Sequence, residues 1–166
     1  MATTSRASRG TFFVVAGYSG TPLAKKLGFK APLRVVTFNA PTGYSDWLGE
    51  LPPGVTLVSG GNADVAPSSL PEPFYAAHVF GTRRRDVEKH LKALRRSLDP
   101  VGFVWVSWPK KASKVETDIT DDTVREMSLP LGFVDIKVCA VNEVWSALKL
   151  VIRKSERPNP TGAASP

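Results

Sequence analysis

Apolar positions along this chain fall into short runs separated by breaker-rich stretches, and the spacing inside each run assigns its element. Leu33 to Phe38 is β-branched and bounded by Pro32 and Asn39, which predicts a strand. Val55 to Val58 follows Pro52-Pro53-Gly54 and predicts a second. Gly60-Gly61 through Pro73 is a loop. Tyr75 to Phe80 is almost continuously apolar apart from His78, and Val101 to Trp108 repeats the pattern, as strands covered on both faces should. Val134 to Val141 and Trp145 to Arg153 flank Asn142-Glu143, the arrangement of an antiparallel hairpin.

Helical spacing alternates with these runs. Ser19 to Gly28 has a hydroxyl residue to cap it, Pro22 in its first turn, Leu23 and Leu27 four apart, and a glycine past its end. Val87, Leu91, Leu94 and Leu98 recur along the clearest helix, with Thr82 as its expected cap and Asp99-Pro100 as its stop. Thr120 caps a further helix, with Asp121 and Asp122 where carboxylates suit the dipole and Gly132 beyond its end. The order is helix, strand, helix, strand, long loop, strand, helix, strand, helix, hairpin. It predicts an α/β, Rossmann-like, mostly parallel sheet with a C-terminal antiparallel hairpin. Residues 1–16 read as a flexible arm, 17–153 as a single domain, and the proline-rich stretch 154–166 as a disordered tail.

Charge then narrows the partners. A net charge of +7 and a pI near 9.8 concentrate anions around the protein, favouring nucleic acid, nucleotides or acidic lipid as partners. Cys139 is the single cysteine, so an intrachain disulfide is excluded, and its place in a strand reads as a buried thiol. No stretch reaches the ~18–20 apolar residues of a membrane span, so no membrane partner is expected and a cytoplasmic location is the default reading. Oligomeric state leaves no mark on the sequence.

The second half, strand-helix-strand-helix-hairpin, resembles the second half of the class I methyltransferase fold. That resemblance implies a glycine-rich turn after the first strand that admits S-adenosylmethionine, and an acid ending the second strand that binds ribose. Here the turn is Asn39-Ala40-Pro41-Thr42-Gly43-Tyr44 and the second strand ends at Ser59-Gly60, so the usual cofactor motif is absent while S-adenosylmethionine stays an open expectation. At motif level, SGTPLAKKLG (Ser19 to Gly28), Asn39-Ala40-Pro41, WVSWPKKAS (Trp105 to Ser113) and KVCAVNEVWSALKL (Lys137 to Leu150) resemble an uncharacterised bacterial family, domain of unknown function number three thousand and fifty-two. That resemblance spans about residues 17–153 and implies no activity and no catalytic residue.

Ligands of open α/β sheets bind beyond the carboxyl ends of the strands. Ser107, Trp108, Lys110, Lys111 and Ser113 leave the fourth strand there, and Asn39, Thr42 and Tyr44 leave the first. Two ammonium groups with hydroxyl and amide donors suit a phosphate or carboxylate, with Trp108 or Tyr44 as a stacking surface. The basic helix offers a second candidate, a phosphate-backbone surface of Arg83, Arg84, Arg85, Lys89, Lys92 and Arg96. Gly17-Tyr18-Ser19-Gly20-Thr21 lacks the glycine two residues after the serine that a nucleophile elbow needs, and reads as a helix start. Asp118, Asp121 and Asp122 match no calcium-loop spacing, so no metal site is expected. Glu143 and Trp145 read as turn residues. The expected function is binding of an anionic, nucleotide-like molecule by a remodelled methyltransferase-like domain. The alternatives are nucleic-acid binding and an active methyltransferase with an atypical turn.

Overall fold

The computed structural model of the chain describes residues 21–60 and 74–158. The arm expected over 1–16, residues 17–20 with the predicted Ser19 cap, loop residues 61–73 and tail residues 159–166 lie outside these. The elements in chain order are α1 (Leu23–Lys26), β1 (Leu33–Phe38), α2 (Tyr44–Leu48), β2 (Val55–Ser59), β3 (Ala76–Phe80), α3 (Arg84–Ser97), β4 (Phe103–Pro109), α4 (Asp121–Ser128), β5 (Phe133–Ala140) and β6 (Trp145–Ile152).

Among the described residues the strands form a six-stranded sheet in the order β2-β1-β3-β4-β6-β5. β2, β1, β3 and β4 run parallel, while β6 is antiparallel to both β4 and β5. The predicted α/β class, parallel core and terminal hairpin are all present. Strand parity divides the core. Val36, Phe38, Ala77, Val79, Val104, Val106 and Leu148 face α3 and α4, whereas Val35, Ala76, Phe80, Trp105 and Ala147 face α1 and α2. β3 is buried at every residue, which explains its unbroken apolar run.

Three local expectations do not hold, one through a local turn and two through tertiary contacts. Val101 stays outside β4 and is largely exposed, because the Asp99 carboxylate accepts its amide at 3.0 Å and the Asp99 carbonyl takes the Gly102 amide in a turn. Thr82 does not cap α3. The carboxylate of Asp118 accepts the Arg84 amide at 2.6 Å from across the chain, while the Thr82 carbonyl accepts from the Thr117 hydroxyl and the Asp118 amide. Lys154–Glu156, expected within the tail, forms a 3₁₀ turn whose Glu156 meets Arg95. The Thr120 cap is as expected, its hydroxyl accepting the Thr123 amide.

Asp118→Ala should therefore cost about 1 kcal/mol, the ordinary value of a lost helix cap, although it lies far in sequence from the helix it serves. A urea midpoint equal to that of the wild type would show that the loop backbone alone holds the start of α3.

Candidate functional site

The parallel register brings the carboxyl ends of β1, β3 and β4 to one rim. Phe38 pairs with Val79 and Phe80 pairs with Ser107, so Asn39 lies level with Phe80 and Ser107. With strands about 4.8 Å apart, β1 and β4 stand roughly 10 Å from each other, a span suited to a small ligand. Asn39 adopts a left-handed backbone (φ 58), and its amide approaches Nε2 of His90 at 3.5 Å, at the outer limit of a hydrogen bond. Thr42 is exposed in the turn that follows. Lys110 continues β4 past the rim, its amide donating to the Val144 carbonyl of the hairpin at 2.7 Å.

Several expected ligand groups are committed elsewhere. Trp108 is 7% exposed and packs into the α3/α4 side of the core, which removes it as a stacking surface. The Ser113 hydroxyl donates to the Lys110 carbonyl at 2.6 Å, closing the 3₁₀ turn Lys111–Ser113 and leaving the Lys111 side chain exposed. Ser107 and Tyr44 are buried and meet through His78. The imidazole Nδ1 lies 2.7 Å from the Tyr44 hydroxyl and Nε2 lies 2.7 Å from the Ser107 hydroxyl. Chain order places Ser107 and Tyr44 on the same rim as ligand groups, and does not show that His78 joins them inside the core. Parity of β3 and β4 and the single turn of α2 bring them together.

Burial decides the protonation of this chain of groups. His78 has no exposed surface, and desolvation pushes its pKa from 6.5 down to about 3. Tyr44 is pushed well above the ordinary phenol range by the same cause. The imidazole is thus neutral, donating to one hydroxyl and accepting from the other. Phe80 stacks on His78 at 4.2 Å, and Tyr44 and Trp145 meet Phe80 edge-on. The cluster props up the rim from below.

Beside it, on the α1/α2 side, an open groove of about 310 Å³ is lined by Thr21, Leu23, Lys26, Trp47, Ala140, Val141 and Asn142. The carbonyl of the Asn142 side chain accepts the amides of Val144 and Trp145, each at 2.8 Å, which shapes the hairpin turn forming one wall. The Lys137 ammonium donates to the Lys26 carbonyl at 3.2 Å. Lys26, Lys137 and Lys110 all lower the pKa of the buried Cys139 thiol, but burial raises it more, so the thiol stays protonated within a positive field. A groove with one cation in its lining, Lys26, and one half-buried indole can take an anionic, ring-bearing molecule. Neither Lys26 nor Trp47 stands out in the sequence, because their adjacency depends on how α1 and α2 dock.

Neither the family models nor the curated protein sequences contain a match to this chain. Solved structures do match in shape. A protein of Sulfolobus solfataricus assigned to the type 11 methyltransferases superposes with a TM-score of 0.57 at 13% identity, covering 82% of this chain and 93% of its own. The DhpI–SAH complex superposes with a TM-score of 0.53 at 14% identity, covering 82% and 85%. The fold is methyltransferase-like.

The turn after β1 lacks the glycine-rich pattern that the class I methyltransferase resemblance implies. Gly43, left-handed at φ 95, is the only glycine between β1 and α2, and α2 is a five-residue helix. Ala40, Pro41 and Thr42 carry side chains where a backbone cradle needs none, and Ser59 ends β2 without a carboxylate. Gly60 follows because a Cβ there would lie 2.5 Å from the Phe38 ring. The residues present do not fit the usual seating of S-adenosylmethionine.

Among the described residues no group of His, Cys, Asp and Glu could hold a metal. Asp121, Asp122 and Asp135 instead surround Arg125, whose pKa rises, chiefly through its hydrogen bond to Asp135. No described helix is long and apolar enough to cross a membrane.

Proposed function

We propose that this chain binds a small anionic molecule bearing a heteroaromatic ring, of the nucleotide class, at the carboxyl rim of its sheet. The observation that carries the reading is the convergence of Asn39 and Lys110 on one rim beside a groove lined by Lys26 and Trp47. Open α/β sheets bind ligands at this edge because side chains from several strands and crossover loops meet there. Lys110, Lys111 and Lys26 supply charge, Asn39, Thr42 and Asn142 polar contacts, and Trp47 the stacking surface. The Tyr44–His78–Ser107 chain holds the rim rigid and touches no ligand.

A methyltransferase with an atypical turn is the second reading. The fold favours it, since DhpI, similar in shape, is complexed with SAH. The side chains at the β1 turn and the lack of an acid at Ser59 weigh against it.

Calorimetric titration and thermal shift of the full chain with ATP, S-adenosylmethionine and S-adenosylhomocysteine separate the two. Saturating nucleotide at about 100 times Kd should add roughly 2.7 kcal/mol of stability. The Lys110→Ala/Lys111→Ala variant should bind at least about tenfold more weakly, the value of a lost charge-assisted contact. Equal affinity of variant and wild type would move the site away from β4. A shift with S-adenosylmethionine alone would transfer the reading to the methyltransferase.

A further inference from the structure

Helix α3 lies on the sheet face opposite the groove, and its basic residues are not equivalent. Arg84 is paired with Glu126 at 3.0 Å, and Arg95 donates to the Leu131 carbonyl at 2.9 Å and meets Glu156 at 3.4 Å. Both sit on the flank that turns toward α4 and the turn after it. Arg85, Lys89, Lys92 and Arg96 are exposed and follow one another at intervals of four, three and four residues. At about 100° per residue, all four fall within roughly 40° of a single line along the helix. That line runs directly opposite the buried row of Val87, Leu91 and Leu94. Asp86 and Glu88 are set well off it, on the flanks.

The ridge is therefore the crown of the helix, and it is basic without interruption. Arg85 with Lys89 and Lys92 with Arg96 are like charges four residues apart, a spacing at which helices ordinarily alternate sign because neighbours repel. From Arg85 to Arg96 the ridge spans about 16 Å, along which one strand of a duplex presents about five phosphates. An α-helix fits the major groove or lies along its edge. No apolar side chain shares the crown, so an interfacial membrane helix, which needs an apolar face, is a poorer fit. Nor does the crown carry Asn or Gln, the residues that pair with adenine edges.

We propose that the crown of α3 is a docking surface for the phosphate backbone of duplex nucleic acid, engaged without sequence preference through Arg85, Lys89, Lys92 and Arg96. Phosphates displace their condensed counterions onto these side chains, so binding weakens with salt in proportion to the contacts made. This surface is independent of the groove ligand.

The test is fluorescence anisotropy of the full chain with a labelled duplex DNA of arbitrary sequence, measured across a range of NaCl concentrations. Four contacts predict a slope of log affinity against log salt of about −3.6. The triple variant Arg85→Gln/Lys92→Gln/Arg96→Gln should lose about 2.7 of that slope and weaken binding more than tenfold at low salt, with an unchanged melting temperature. Arg84→Gln, which removes a cation already paired to Glu126, should retain the wild-type slope. Wild-type affinity in the triple variant, or no binding of duplex at low salt, would overturn the proposal. So would equally strong binding to phosphatidylserine vesicles or polyglutamate that depends on the same three residues, since the surface would then read negative charge and not a nucleic acid.

Discussion

Acidification from pH 6.5 toward 3 should destabilise this protein by up to about 1.4 kcal/mol per pH unit through His78 alone. In the unfolded chain the imidazole takes up a proton near 6.5, whereas burial holds the folded group neutral down to about 3. Between those values the unfolded state binds the proton and the folded state does not. Stability from this group is therefore complete above pH 6.5 and is lost as the pH falls through the window, by at most about 5 kcal/mol in all. That is comparable with the whole stability of many domains. The measurement is a set of urea midpoints at several pH values for the wild type and for His78→Phe. The variant should be weaker at neutral pH, because two buried hydroxyls lose their partner, yet it should fall less steeply with acid. Parallel curves would show that His78 is solvated or protonated in the folded state. Tyr44→Phe should cost about 1–3 kcal/mol by leaving one imidazole nitrogen without a partner.

Trp105→Ala should cost about 3–5 kcal/mol, the range for emptying a fully buried aromatic site. Trp105 has no exposed surface, and its indole nitrogen donates to the Leu27 carbonyl at 2.8 Å. Leu27 closes α1, a four-residue helix too short to persist by itself. α1 is held by the burial of Leu23, Ala24 and Leu27 against the sheet, by this buried bond from β4 and by the exposed one from Lys137 to the Lys26 carbonyl. Trp105→Phe keeps most of the volume and removes the donor. It should lower global stability less than the alanine variant while raising hydrogen exchange at the Gly28 and Phe29 amides, which close the end of α1. Because Leu23 and Lys26 line the groove, it should also weaken any ligand bound there. Unchanged exchange at those amides would mean that side-chain burial alone secures α1.

Much of the architecture was legible because the signals were local. β3 and β4 read as unbroken apolar runs, α3 as a row of Val87, Leu91, Leu94 and Leu98, and the hairpin as two runs about Asn142. Nor does the Thr120 cap need a remote partner. The Asp118 cap was invisible by the same reasoning, since the carboxylate and the amide it accepts lie 34 residues apart. Val101 misled because its apolar side chain matches the strand that follows, while the Asp99 turn decides where that strand begins.

The candidate site divides along the same boundary. The rim was foreseeable, because parallel strands must end on a shared edge and the residues after them follow from the chain order. Which side chains would be offered there was not. Parity within β4 turns Ser107 toward His78 and Trp108 into the opposite core, a difference of one residue that the apolar run on both sides conceals. The groove formed by Lys26, Trp47 and Asn142 joins three segments spread over more than a hundred residues. By itself the sequence determined the elements, their order and the parallel sheet, since each depends on periodicity or capping within a short window. The tertiary structure alone decided which polar groups are buried and which basic side chains are spent on ion pairs. Burial and pairing depend on neighbours that chain order does not name.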